Sequence, residues 1–166
     1  RHYTTGEYYA SVEALREAYG NPAITTDVIV GFPGETEEEF EATEAFLQKV
    51  GFYEMHIFKY SKRAGTVAAG MKEQIPEPVK TERSAELLKL EKEQSDSFRR
   101  KYIGQKAQVL LEEEKEYEGT RWLLGHTADY VRVAVPAEEG LGLNTLVDVK
   151  VSGFLEEDVL QGTTLP

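Results

Sequence analysis

The stretch that most constrains this chain runs from Ala23 to Tyr60: AITTDVIVGFPGETEEEFEATEAFLQKVGFYEMHIFKY. Residues 23–30 are β-branched and almost uninterrupted, the pattern of a strand covered on both sides in a parallel sheet. Pro33-Gly34 makes a turn. Thr36 and Glu39 then form a T-x-x-E capping box opening a helix with Phe40, Thr43, Phe46, Leu47 and Val50 on one face. Gly51 ends it, and residues 53–60 read as the next strand. Upstream, Tyr8, Val12, Leu15 and Tyr19 recur at helical spacing before Gly20. Helix, strand, helix, strand over residues 6–60 is the rhythm of a parallel sheet or barrel.

A glycine turn before a helix can cradle phosphate. Here Glu35, Glu37, Glu38 and Glu39 already occupy the helix start, and neither glycine-rich phosphate motif is present. The phosphate-loop reading fails. Side-chain alternation is more informative. Ile24, Thr26, Val28 and Val30 point one way, and Thr25, Asp27 and Ile29 the other. The first set suits packing against outer helices; the second suits a wet or ligand-holding interior, because an unpaired buried carboxylate at Asp27 is costly. Asp27 bonded to neighbouring strands is the structural alternative. Gly31 and Gly34 fall at the strand's carboxyl end, where barrel sites are built and glycine permits close approach; a tight turn explains them equally. On the second strand His56, Phe58 and Tyr60 share a face, and YSKRAGT follows at the same edge. There Arg63 can meet an anionic group.

Beyond an irregular stretch to Pro78, a long helix is expected over residues 79–102, with Leu87, Leu88, Leu90 and Phe98 and a basic end, Arg99, Arg100 and Lys101. Past Gly104 the pattern changes to KAQVLLEEE, RWLLGHT, YVRVAVP and TLVDVKVSGFL. Short strands without intervening helices imply a small β-barrel or sandwich. The organisation expected is an α/β part over 1–100 and an all-β domain over 101–166.

Charge and composition narrow the function. A net charge of −11 argues against general electrostatic capture of nucleic acid, so any such contact needs a local patch. Between residues 103 and 166, five basic residues face twelve acidic ones. Arg121, Trp122, His126, Tyr130 and Arg132 are the candidates for that patch, an aromatic to stack and an arginine to meet phosphate; Trp122 and Tyr130 as barrel core is the alternative. Cysteine is absent, which removes disulfides and thiolate metal sites. No apolar run approaches the roughly 18 residues of a membrane span and no signal pattern opens the chain, so a cytoplasmic protein without a membrane partner is expected. The start, RHYTTGEYY without Met, reads as a fragment or a processed terminus.

TDVIVGFPGETEEEF, then HIFKYSKRAGTVAA, then Arg83 and Leu87 on a long helix, together resemble the second half of a radical-SAM methylthiotransferase. RHYT resembles the family's stretch after an earlier barrel strand, and the β-rich end with GHTADYVRV resembles a TRAM domain, a small OB-like barrel that helps hold RNA. The resemblance implies a partial (β/α) barrel, residues 1–100, followed by a TRAM barrel, residues 101–166. It implies S-adenosylmethionine and two [4Fe-4S] clusters as cofactors, the cluster cysteines lying upstream of this stretch, so that the chain alone is expected to be inactive. It also implies that Asp27, Ile29, Gly31, Phe58, Tyr60 and Ser61 face the cofactor, with Ile29, Gly31 and Phe58–Ser61 on the adenine side. Arg63 favours the members that modify tRNA near the anticodon. Overall likeness is closest to the threonylcarbamoyladenosine branch, with the isopentenyladenosine branch next. Arg63 joins Arg121, Trp122, His126, Tyr130 and Arg132 as the expected RNA contacts. A sheet edge lacking the upstream half of its own barrel predicts self-association. A non-catalytic RNA-binding module competes with this reading; a self-contained small-molecule enzyme lacks any nucleophile–base or metal constellation.

Overall fold

The computed structural model describes residues 2–166, which leaves Arg1 of the RHYT stretch outside the described residues. The chain divides into two compact units at Ser95–Asp96, inside its longest helix.

The first unit begins with α1 (Thr5–Tyr19), whose first turn is held by a capping box between Thr4 and Glu7. β1 (Thr25–Val30) and β2 (Glu54–Lys59) pair in parallel, with α2 (Glu37–Val50) between them. A short helical turn, α3 (Val67–Gly70), lies in the segment read from sequence as loop, and α4 (Glu77–Arg100) follows. The capping box expected at α2 forms: Glu39 N–H donates to the Thr36 hydroxyl at 3.2 Å, and Thr36 N–H donates to the Glu39 carboxylate at 3.0 Å.

Alternation on β1 and β2 gives the sheet two unlike faces. Val28, Val30 and Met55 are buried against Val12, Phe40, Leu47, Val50, Phe52, Leu87 and Leu90. Each such side chain contributes on the order of 1.5–3 kcal/mol when fully buried. That is why a two-stranded sheet, marginal alone, is held here by its helices. On the opposite face Thr25, Asp27, Ile29, His56 and Phe58 are exposed. The register sets Asp27 beside His56 and Ile29 beside Phe58.

In the second unit five strands close into a barrel in the order β3-β4-β5-β7-β6. They are β3 (Lys106–Tyr117), β4 (Thr120–His126), β5 (Arg132–Pro136), β6 (Leu146–Phe154) and β7 (Leu160–Thr164). β5 and β7 run parallel and the other neighbours antiparallel. The interior is filled by small branched residues, among them Val109, Leu111, Leu124, Val133, Val149 and Leu160. Closure brings β4 hard against β3: a Cβ on Gly125 would lie 1.8 Å from the Leu110 carbonyl oxygen. β7 has no counterpart among the strands expected from sequence. No helix among the described residues is long and apolar enough to cross a membrane.

Candidate functional site

The chain leaves β1 through Gly31, whose φ of +71° lies in the left-handed region that suits glycine. The Gly31 N–H donates to the Glu35 carboxylate at 2.7 Å. The same carboxylate accepts from Arg83 Nη1 at 2.6 Å, while Arg83 Nη2 reaches Glu37 at 2.8 Å. β2 leaves the sheet at Tyr60, whose N–H donates to the Val30 carbonyl at 2.8 Å. Lys80, from α4, donates to the Tyr60 carbonyl at 3.1 Å. The two strand exits are therefore fixed side by side, and the rings of Phe32 and Tyr60 meet edge-on with centroids 5.3 Å apart.

Beside these exits lies an open cleft of about 610 Å³, lined by Ile29, Phe32, Phe58 to Ser61, Arg63, Thr66 and Ala68. That size suits a nucleoside-sized ligand, and mostly apolar walls with a few polar groups are the usual make-up of such sites. Ile29 and Phe58 are 55% and 53% exposed, open to a ligand. No carboxylate pairs with the Arg63 guanidinium among the described residues, so it is free to meet an anion. At the rim Glu77 sits between Lys59 and Lys80, at 2.6 and 2.7 Å. Hydrogen bonds from Lys59 and Lys80 hold its carboxyl down at about 2.

Of the residues expected to face a cofactor, the cleft collects Ile29, Phe58, Tyr60 and Ser61, and it adds Arg63, expected to contact RNA. Asp27 stands apart, 3.3 Å from His56 Nδ1 and lining a smaller hollow of about 280 Å³ with Tyr3, Tyr8 and Phe46. Gly31 is buried beneath Lys80: a Cβ there would lie 2.1 Å from the lysine Cγ. Phe32, Thr66 and Ala68 went unread in the sequence. An aromatic set between Gly31 and Gly34 was the available signal for Phe32, which the structure leaves 45% exposed.

In the barrel unit the basic candidates are paired. Arg121 meets Glu114 at 3.2 Å, His126 Nδ1 contacts Glu112, and Arg132 contacts Glu113 with Asp158 at 3.7 Å. Trp122 is half buried against Leu124, Ala134 and Val159. Tyr130 is 78% exposed at φ +61°, its ring 5.8 Å from that of His126. His126 lies opposite Arg132 in the β4–β5 ladder, whereas Arg121 and Trp122 lie at the far end of β4. The candidates thus form two groups. Arg99 pairs with Asp96, Arg100 lies over the Phe154 ring and Lys101 over that of Phe98.

Among the described residues no group of three or more His, Asp or Glu is placed to hold a metal ion, and the chain has no cysteine. The residues present do not fit an iron–sulfur cluster.

No family model matches the chain. Individual relatives do. It is 44% identical over 151 residues to a tRNA-2-methylthio-N(6)-dimethylallyladenosine synthase of Aquifex aeolicus, covering 91% of this chain and 33% of that protein. It is 38% identical over 152 residues to the threonylcarbamoyladenosine tRNA methylthiotransferase MtaB of Bacillus subtilis, covering 91% and 34%. A ribosomal protein uS12 methylthiotransferase RimO of Clostridium kluyveri matches at 35% over 152 residues, covering 90% and 34%. The chain spans about a third of the length of these curated relatives. The matches take in nearly all of this chain, cleft and barrel alike, and on that likeness the chain belongs to the methylthiotransferase family.

Proposed function

We propose that this chain is the C-terminal part of a tRNA methylthiotransferase that uses S-adenosylmethionine, with the α/β unit as part of a (β/α) barrel and the β-barrel as a TRAM domain. The observation that carries the proposal is the cleft. Ile29, Phe32 and Phe58 offer apolar faces to a flat base, and the exposed Ser61 beside them offers polar groups to its rim. These residues would hold the adenine of S-adenosylmethionine. Bound there, the cofactor supplies the methyl group. Arg63, at the same wall and without a carboxylate partner among the described residues, would take an anionic group of the substrate or cofactor. The iron–sulfur ligands of such an enzyme would lie outside these residues, since this chain has no cysteine, and on that reading the chain alone is inactive.

The substrate in this reading is a hypermodified adenosine beside the anticodon. The overall likeness of VGFYEMHIFKYSKRAGT and GHTADYVRV supports threonylcarbamoyladenosine, while the loop pattern Tyr-Ser-x-Arg-x-Gly-Thr fits both branches. The 44% identity to a dimethylallyladenosine synthase, against 38% to the threonylcarbamoyl enzyme, supports the isopentenyl branch as the second reading.

The test is deletion of the complete gene followed by mass spectrometry of tRNA nucleosides. Loss of the methylthio group from threonylcarbamoyladenosine is expected. Loss from isopentenyladenosine selects the second reading, and an unchanged nucleoside profile overturns both.

A further inference from the structure

Lys80 is an unusual lysine. Its side chain is only 14% exposed, and its stem lies on the Cα of Gly31, at the end of β1. Its ammonium reaches across to the Tyr60 carbonyl, at the end of β2, and to Glu77 at 2.7 Å. One side chain from α4 therefore touches both strand exits. Next to it Arg83 clamps Glu35, which in turn holds the Gly31 N–H.

The segments leaving those exits carry much of the cleft wall: Phe32 after β1; Tyr60, Ser61 and Arg63 after β2. Such connecting segments are the part of a fold most prone to local opening. A wall that is already ordered binds more tightly, because less freedom is lost on binding. Packing alone does not require an amine over Gly31, since a methionine would fill the same space. The amine is needed to hold the Tyr60 carbonyl.

We infer that Lys80 is a positioning residue for the cleft ligand: it ties the ends of β1 and β2 together and so presets the Phe32–Tyr60–Ser61 wall. This rests on the reading of the cleft as the site for an adenine-bearing cofactor.

The test uses the full-length, cluster-loaded enzyme and S-adenosylhomocysteine as the probe, with affinity read by calorimetry. Lys80→Met and Lys80→Gln are expected to weaken binding by at least about fivefold, the loss of one ordered hydrogen bond and its preorganising effect. The KM for S-adenosylmethionine should rise by a similar factor, with kcat changed less than about twofold. Amide hydrogen exchange should quicken in residues 31–36 and 60–66. Glu41→Gln, at an exposed carboxylate on α2 outside the cleft wall and the Arg83 clamp, should leave affinity unchanged. A folded Lys80 variant with wild-type affinity and wild-type exchange overturns the inference while leaving the cofactor site standing. A wild-type enzyme that does not bind the probe overturns the cofactor site itself, and this inference with it.

Discussion

Glu35 and Arg83, 48 residues apart, meet at 2.6 Å with side chains only 14% and 7% exposed. Arg83 also donates to the Glu35 backbone carbonyl at 3.2 Å, and the Glu35 carboxylate holds the Gly31 N–H. Removing one partner of such a pair leaves the other charge buried without compensation. Arg83→Met is therefore expected to cost about 3–5 kcal/mol in urea denaturation. Combining it with Glu35→Gln should recover part of that loss, because the stranded carboxylate is gone. Equal stability of the single and double variants would contradict the pairing.

Gly125 makes a sharper demand. An added Cβ would lie 1.8 Å from the Leu110 carbonyl oxygen and 2.9 Å from the Leu111 Cα, both backbone atoms inside a paired strand. Nothing flexible can move aside, so Gly125→Ala is expected to cost about 3 kcal/mol or more. Gly119 provides the contrast. It has a φ of +78° but open space around it, so Gly119→Ala should cost only about 1–2 kcal/mol of backbone strain. Thermal unfolding of the two variants would separate overpacking from strain.

What sequence could show here was local. The Thr36–Glu39 capping box and the two-faced alternation of β1 and β2 depend on neighbours within a few residues, and both stand in the structure. The exposure of Ile29 and Phe58 followed from the same period of two. What escaped depended on distant partners. Gly31 looked like an approach point for a ligand, but its space is filled by Lys80, 49 residues on. β7 reads Leu-Gln-Gly-Thr-Thr, too polar to signal a strand; Gly162 fits there because Lys150 and Val149 of β6 crowd it. The pairing of Arg121, His126 and Arg132 with Glu114, Glu112 and Glu113 depends on the β3–β4 register and its irregularity between Leu111 and Glu113.

Glu77 gives the cleft rim a pH response. Its carboxyl is lowered from 4.5 to about 2 by hydrogen bonds from Lys59 and Lys80. A folded-state pKa below the unfolded one means the ion pairs stabilise fully above about 4.5 and are lost as pH falls towards 2. Wild-type protein should therefore lose stability more steeply than Glu77→Gln over that window. An NMR titration of the Glu77 side chain with a midpoint near 4.5 would rule out the effect.

The barrel's charge pairs set an expectation for RNA. Arg121, His126 and Arg132 each contact a carboxylate from the run Glu112–Glu113–Glu114. A phosphate approaching Arg121 or Arg132 must displace or tolerate those carboxylates, so the pairs weaken electrostatic capture. If this surface meets tRNA, neutralising the run with Glu112→Gln, Glu113→Gln and Glu114→Gln should raise affinity at low salt by roughly tenfold and steepen its salt dependence. Tyr130→Ala should weaken binding without changing the salt slope, since a stacking ring carries no charge. Fluorescence anisotropy with labelled tRNA across a salt series measures both quantities. Unchanged affinity and slope in the triple variant would place the RNA contact on another surface.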